Sequence, residues 1–296
     1  MADGEQNGKS WHDKHYKKLL VVPAILLILS VIYMGVFYSQ TGDFMRKDIS
    51  LTGGTSVTIN KPIDADELRN SLESQLPDLS TREISDISTN RQKAIVVETT
   101  ADAETARNAL ESHLGYELTD ENSSFSFTSA SLSQDFYKQL LIAILVAFVF
   151  MGIVVFILFR TTVPSMAVII SAFADIFMTL ALVNLLGIKM STAGIVAFLL
   201  LIGYSVDTDI MLTNRTLSRR DDTFNNRMKG AVKTGLTMTL TSLLAFGVAL
   251  YIVSSFSEVL TKILTILVIG LGFDLINTWI TNVSILKWYA EKKGMN

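Results

Sequence analysis

The chain has 296 residues, of which 49% are hydrophobic and 18% charged, with no cysteine and a net charge of −3. The charged fraction lies below the roughly 25% usual for soluble domains, and the mean hydropathy of +0.40 points to a membrane protein. The missing cysteine excludes disulfides, thiol nucleophiles and thiolate metal sites, and the slightly acidic balance argues against a nucleic-acid partner. His12, His15 and His113 all lie outside the apolar runs, so neither a buried histidine metal site nor a cofactor is expected.

Residues 1–18 form a polar tail with Lys9, Lys14, Lys17 and Lys18. The following apolar stretch, Leu19–Tyr38, is 20 residues long, enough to cross about 30 Å of hydrocarbon at about 1.5 Å per residue. No Ala-x-Ala-like cleavage site follows it, so 19–39 reads as an uncleaved first transmembrane helix.

Residues 40–138 change character and read as a separate α+β domain. Val57 and Ile59 alternate within Thr55–Asn60, the period of a strand. Asp64 followed by Glu67 resembles a capping box. Leu68, Leu72 and Leu76 then give one apolar helical stripe up to Pro77. Strands are predicted at Ile84–Ser88 and Ala94–Thr99. A second helix carries Ala106, Leu110 and Leu114 between Asp102 and Gly115, and Phe125 and Phe127 alternate in a last strand. The order βαββαβ is that of the ferredoxin-like split βαβ sandwich. Nothing in it has the pattern of a catalytic site, and no enzyme activity is expected.

Residues 139–286 read as a five-helix membrane bundle with spans at 140–159, 163–188, 192–213, 235–253 and 259–286. A polar loop, 214–234, joins the fourth to the fifth, and residues 287–296 form a tail. The whole chain is therefore a polytopic α-helical protein of six transmembrane helices, with the external domain between helices one and two. Basic residues set its orientation. The tail, Arg160, the loop (Arg215, Arg219, Arg220, Arg227, Lys229, Lys233) and Lys287, Lys292 and Lys293 share one side, against Lys189 in the short loop opposite. Both termini are thus expected in the cytoplasm, with 40–138 outside a cell membrane. The basic loop suits contact with lipid headgroups.

Carboxylates inside apolar spans cost roughly 2.5–3.5 kcal/mol even on insertion scales and mark function by default. Asp175, Asp207, Asp209 and Asp274 are the candidates for a proton or ion relay. Counted from the flanking basic residues, Asp175 and Asp274 lie level near mid-membrane, Asp207 is nearer the cytoplasm, and Asp209 approaches the interface. Asp207 and Asp209 are two residues apart and point roughly 200° apart on a helix, so they form no dyad. Asp207 is the stronger candidate to face the bundle. Gly203 shares its face, and Thr237 and Thr241 give the fifth span a small polar face of the kind that packs helices closely.

Three motifs narrow the reading. Thr52-Gly53-Gly54-Thr55 after the first span, Ala174-Asp175-Ile176 in the third, and Gly203-Tyr204-Ser205 followed by acids and Arg215 in the fourth together resemble the SecF branch of the SecD/SecF family. That family lies within the resistance-nodulation-division superfamily, and the Asp207-Thr208-Asp209 form is similar to its archaeal members. The resemblance implies a complex with SecD and a SecY-type translocon, a translocating polypeptide as substrate, and use of the proton-motive force. It also shows departures. Asp207-Thr208-Asp209 stands where bacterial members have Asn-Asp-Thr, leaving open which acid carries the family's role. Thr237 stands where members carry an arginine, and Ser50 stands for the Asp before the Gly-Gly pair. Three other readings compete: a small-molecule exporter of the same superfamily, a structural partner of SecD without an ion path, and an intramembrane aspartyl protease. The last requires two carboxylates about 3 Å apart, which the unequal depths of Asp175 and Asp207 disfavour.

Overall fold

The structure is a computed structural model that describes residues 18–86, 89, 91–217 and 223–294. The basic tail with His12 and His15, part of the predicted strand Ile84–Ser88, and Arg219 and Arg220 of the predicted loop lie outside the described residues.

Six helices are long and apolar enough to cross a membrane. The first, α1 (Val21–Thr41), ends on Gly42 in the left-handed conformation, the usual glycine stop. A short linker leads through α2 (Ile49–Thr52) into β1 (Gly54–Ile59). Then follow α3 (Ala65–Leu72), β2 (Ser80–Ser85), β3 (Gln92–Thr99), α4 (Ala103–Leu114) and β4 (Ser123–Thr128). The four strands form one antiparallel sheet in the order β2-β3-β1-β4, as expected for a ferredoxin-like domain.

The local chemistry explains these elements. The Asp64 carboxylate accepts from the N–H groups of Asp66 and Glu67, and that of Asp102 from those of Glu104 and Thr105, so two orphan donors of each helix are satisfied. Val57 and Ile59 of β1 and Ile95 and Val97 of β3 point to one face. There they meet Leu68, Leu72 and Leu110 from the helices in a closed apolar core. β2 lies four residues earlier than the predicted Ile84–Ser88. It is a sheet edge with no fully buried position, so it lacks the alternation that reveals a half-buried strand. The opposite sheet face, with Arg82 and Glu98, looks toward the membrane bundle.

The Gly53-Gly54 pair joins this domain to the bundle. Both residues have positive φ, 84° and 143°. A Cβ on Gly53 would strike the backbone of Ala130, and one on Gly54 the carbonyl of Thr99. Two glycines are needed because two backbones press on the linker there.

The bundle consists of α5 (Ala130–Phe159), α6 (Thr162–Leu185), α7 (Thr192–Leu217) and α8 (Phe224–Val253). The sixth span is composite: α9 (Glu258–Ile276), a π-helical turn (Asn277–Asn282) and α10 (Val283–Lys293). Several helices outrun the predicted spans. Ser129 caps α5, which begins ten residues before position 140, and α8 begins at Phe224, inside the predicted loop 214–234. Hydropathy sees only the lipid-crossing part of a helix, whereas hydrogen bonding continues into water. α6 and α7 are the buried pair, while α5 and α8 leave most of their surface outside the bundle. Asn184, near the C-terminal end of α6, donates to the Phe44 carbonyl at 2.8 Å and accepts from the Arg46 N–H at 3.2 Å, clamping the linker after α1.

Candidate functional site

The polar residues of α6, α7 and the sixth span converge in the bundle interior. Asp175 of α6 is fully buried. Its carboxylate accepts from the Ser205 hydroxyl of α7 at 2.5 Å and from the Asn277 amide of the π turn at 2.7 Å. Asp209 of α7 is equally buried and accepts from the Thr278 hydroxyl at 2.8 Å and the Asn282 amide at 2.7 Å. The Thr278 hydroxyl also lies 3.0 Å from the carboxylate of Asp274, one turn earlier. Three carboxylates from three spans are thus tied together by Ser205, Asn277, Thr278 and Asn282, all neutral. Among the described residues, one oxygen each of Asp209 and Asp274, and the carbonyl oxygens of Asn277 and Asn282, have no hydrogen-bond partner.

The sixth span with its π turn makes this possible. An α-helix places Asp274, Thr278 and Asn282, four apart, in one row. Asn277, three residues after Asp274, flanks the same row, so that one helix serves both Asp175 and Asp209. Single π turns of this kind recur at functional positions. Close packing holds the helices at this distance. A Cβ on Gly235 of α8 would run into the Trp279 ring, and one on Gly270 of α9 into Leu201 of α7.

The structure corrects the assignment of the paired acids. Asp209, placed by depth counting near the interface, is the one inside the bundle. Asp207 is exposed on the outer face of α7 and makes no hydrogen bond or ion pair with the described residues. Helical phase decides this. Leu201, Ser205, Thr208, Asp209, Leu212 and Thr216 form the buried stripe of α7, and Asp207 falls about 100° from Thr208 and 200° from Asp209, off the stripe. Gly203 and Tyr204 share the outer face with Asp207. The space around Gly203 is open, and the Tyr204 ring meets Phe246 of α8 edge-on at 5.6 Å. Thr237 and Thr241 were expected to pack helices together. Instead both are exposed, and their hydroxyls donate to the Lys233 and Thr237 carbonyls of their own helix. Ser205, the last residue of the Gly203-Tyr204-Ser205 motif, belongs to the acid cluster. Sequence reading passed over Asn277, Thr278 and Asn282 as participants, although the four-residue rhythm Asp274, Thr278, Asn282 was there to find.

Comparison with known proteins is consistent along the chain. Residues 111–292 match the family described as protein export membrane protein SecD/SecF, C-terminal. The protein-export membrane protein SecF of Methanocaldococcus jannaschii is 38% identical over 295 residues, covering 94% of this chain and 97% of its own length. That of Pyrococcus furiosus is 34% identical, covering 94% and 92%. Among solved structures, SecDF of Thermus thermophilus, described as a translocon-associated membrane protein, superposes with a TM-score of 0.67 at 18% identity over 93% of this chain. The chain spans 38% of that much longer polypeptide. At that identity the likeness speaks for the fold alone.

Proposed function

The chain belongs to the SecD/SecF family of protein-export membrane proteins and is a SecF-like, multi-pass subunit of the export machinery, and from that premise we propose that its buried acid cluster couples export to the proton-motive force. The observation that carries this reading is the cluster itself: Asp175, Asp209 and Asp274 are buried together with neutral partners inside a membrane bundle. Like charges at close range in a low-dielectric interior cannot all stay ionised, so such a group holds and exchanges protons. A proton drives work only if two conformations bind it differently. The Thr278 hydroxyl, shared by Asp209 and Asp274, is the contact that a change of protonation remakes.

The outward face of α7 and α8 supports a membrane partner. A carboxylate at Asp207, open space at Gly203 and the small polar residues Thr237 and Thr241 suit a neighbouring helix that supplies a hydrogen-bond donor or a cation. SecD is that partner in this reading, with a SecY-type channel and the polypeptide in transit beyond it. The distribution of basic residues supports a cytoplasmic side for both termini and the opposite side of a cell membrane for the sheet domain. The protein is then a coupling subunit with no catalytic step of its own.

The test is export into membrane vesicles carrying an imposed pH gradient. Asp209→Asn and Asp175→Asn are expected to lower the gradient-driven part of export at least tenfold while SecD still copurifies. Asp207→Leu is expected to weaken copurification instead. Normal gradient-driven export by both Asn variants would exclude proton coupling through this cluster.

A further inference from the structure

The two faces of the molecule are joined by more than the chain ends. At the outer mouth of the bundle Asp48, in the linker after α1, is 5% exposed. One carboxylate oxygen accepts from the Ser50 N–H at 2.9 Å and the Ser50 hydroxyl at 2.6 Å. The other accepts from the Lys262 ammonium of α9 at 2.7 Å. Lys262 also reaches Glu258, one turn earlier in α9, at 2.5 Å. The second oxygen of Glu258 faces Arg82 of strand β2 at 3.4 Å. Beside this cluster the Ser85 N–H at the end of β2 donates to the Ser255 carbonyl at 3.2 Å. The edge strand of the external sheet is thereby seated on the start of the sixth span. Glu98 of β3 completes the surroundings, facing Glu258, Lys262, Asp48 and Lys189.

The same helix carries the acid cluster. Asp274 lies twelve residues after Lys262, about 18 Å along a continuous α-helix at about 1.5 Å per residue, and the π turn begins three residues later. A helix of this length moves as a rod. A remade hydrogen bond at Asp274 and Thr278 therefore displaces Lys262, and any movement of the rod at Lys262 acts on Asp48 and, through Glu258, on Arg82. A partly buried lysine held between two carboxylates has few ways to let go, because breaking one side leaves an uncompensated charge.

We propose that Lys262, with Asp48, Glu258 and Arg82, is the coupling joint that transmits movement of the sixth span to the external domain. Lys262 is a positioning residue here. It touches no proton in transit, and its role rests on the proton-coupled reading given above.

The chain has no cysteine, so a Ser85→Cys/Ser255→Cys pair reports the joint without background from this chain's own thiols. In native membranes holding the full complex, oxidation is expected to cross-link the pair readily and to stop gradient-driven export, which reductant restores. Lys262→Met in that background is expected to lower the cross-linking rate about tenfold, and alone to lower gradient-driven export by a similar factor. Lys262→Arg is expected to retain both. Should Lys262→Met fail to accumulate, Arg82→Gln loosens the same joint from its more exposed side and is expected to lower both readings severalfold. A loosened joint with unchanged export, an unchanged joint in both variants, or normal export with the joint locked would each overturn the proposal. Asp209→Asn, measured in the same membranes, separates the two claims. Normal export in that variant removes the proton coupling and the joint's coupling role with it, while a cross-linking loss confined to Lys262→Met shows a structural clasp only.

Discussion

The sheet domain and the membrane bundle solve opposite problems. In the domain, apolar side chains are collected away from water: Val57, Ile59, Leu68, Ile95 and Leu110 are all at 0% exposure, and polar groups take the surface. In the bundle, apolar side chains face outward along α5 and α8, and among the buried apolar clusters of the interior lies a polar group: Asp175, Asp209, Asp274, Asn277 and Asn282 are at most 1% exposed. Water rewards burial of the first set at roughly 25 cal/mol per Å². Lipid offers no such reward between helices, since its tails are as apolar as leucine. A carboxylate in that setting costs more than its interhelical hydrogen bonds, typically about 0.6 kcal/mol each, return. The domain is therefore a device for position and the bundle interior a device for chemistry.

Substitutions can break this contrast at several points. The largest effect on stability is expected in the domain. Ile95→Ala removes a core side chain between β1 and the helices, and large-to-small core changes cost about 2–5 kcal/mol. Thermal unfolding of the full protein, followed by proteolysis of the external region, should show that loss while the bundle stays intact. Equal loss of both regions would mean that they form one cooperative unit. In the bundle, Gly235→Ala forces a methyl group against Trp279, and overpacking costs about 1–3 kcal/mol. The shift should be read both as lowered stability in lipid and as disturbed export, because Trp279 sits in the π turn beside Thr278. The smallest effect is a pH dependence of the domain. Burial, and after it the neighbouring Glu258, raise the pKa of Glu98 above the usual carboxylate range, while Lys262 and Lys189 oppose this. For a carboxyl group whose folded pKa is raised, the ionised form is the disfavoured one. Its cost is fully present above that raised value, is relieved as pH falls through it, and changes no further below the ordinary carboxylate range. The domain should thus gain a little stability on mild acidification, and Glu98→Gln should abolish that part of the pH response. An unchanged response in the variant would assign it to other groups.

Much of this arrangement was legible in the residues. Six apolar runs gave six spans, and Asp64 and Asp102 marked helix starts where their carboxylates do cap. Alternation at Val57–Ile59 and the apolar run at the start of Ala94–Thr99 found the two central strands. β2 was misplaced because an edge strand with half-exposed residues carries no alternation. The site was legible in kind but not in detail. An acid inside an apolar run announces itself by cost, but which of Asp207 and Asp209 turns inward depends on helical phase against neighbours in space. Depth counting along one helix says nothing about phase. The π turn was invisible as well, because no residue type encodes it.

Infrared difference spectroscopy of the complex in lipid reads the cluster most directly. On stepping the outer pH, the account predicts a change in the carbonyl band of protonated carboxylic acids, shifted in heavy water and lost in Asp209→Asn. It predicts no such loss in Asp207→Asn. A spectrum that does not respond to pH, or one whose response survives Asp209→Asn and vanishes with Asp207→Asn, would contradict it.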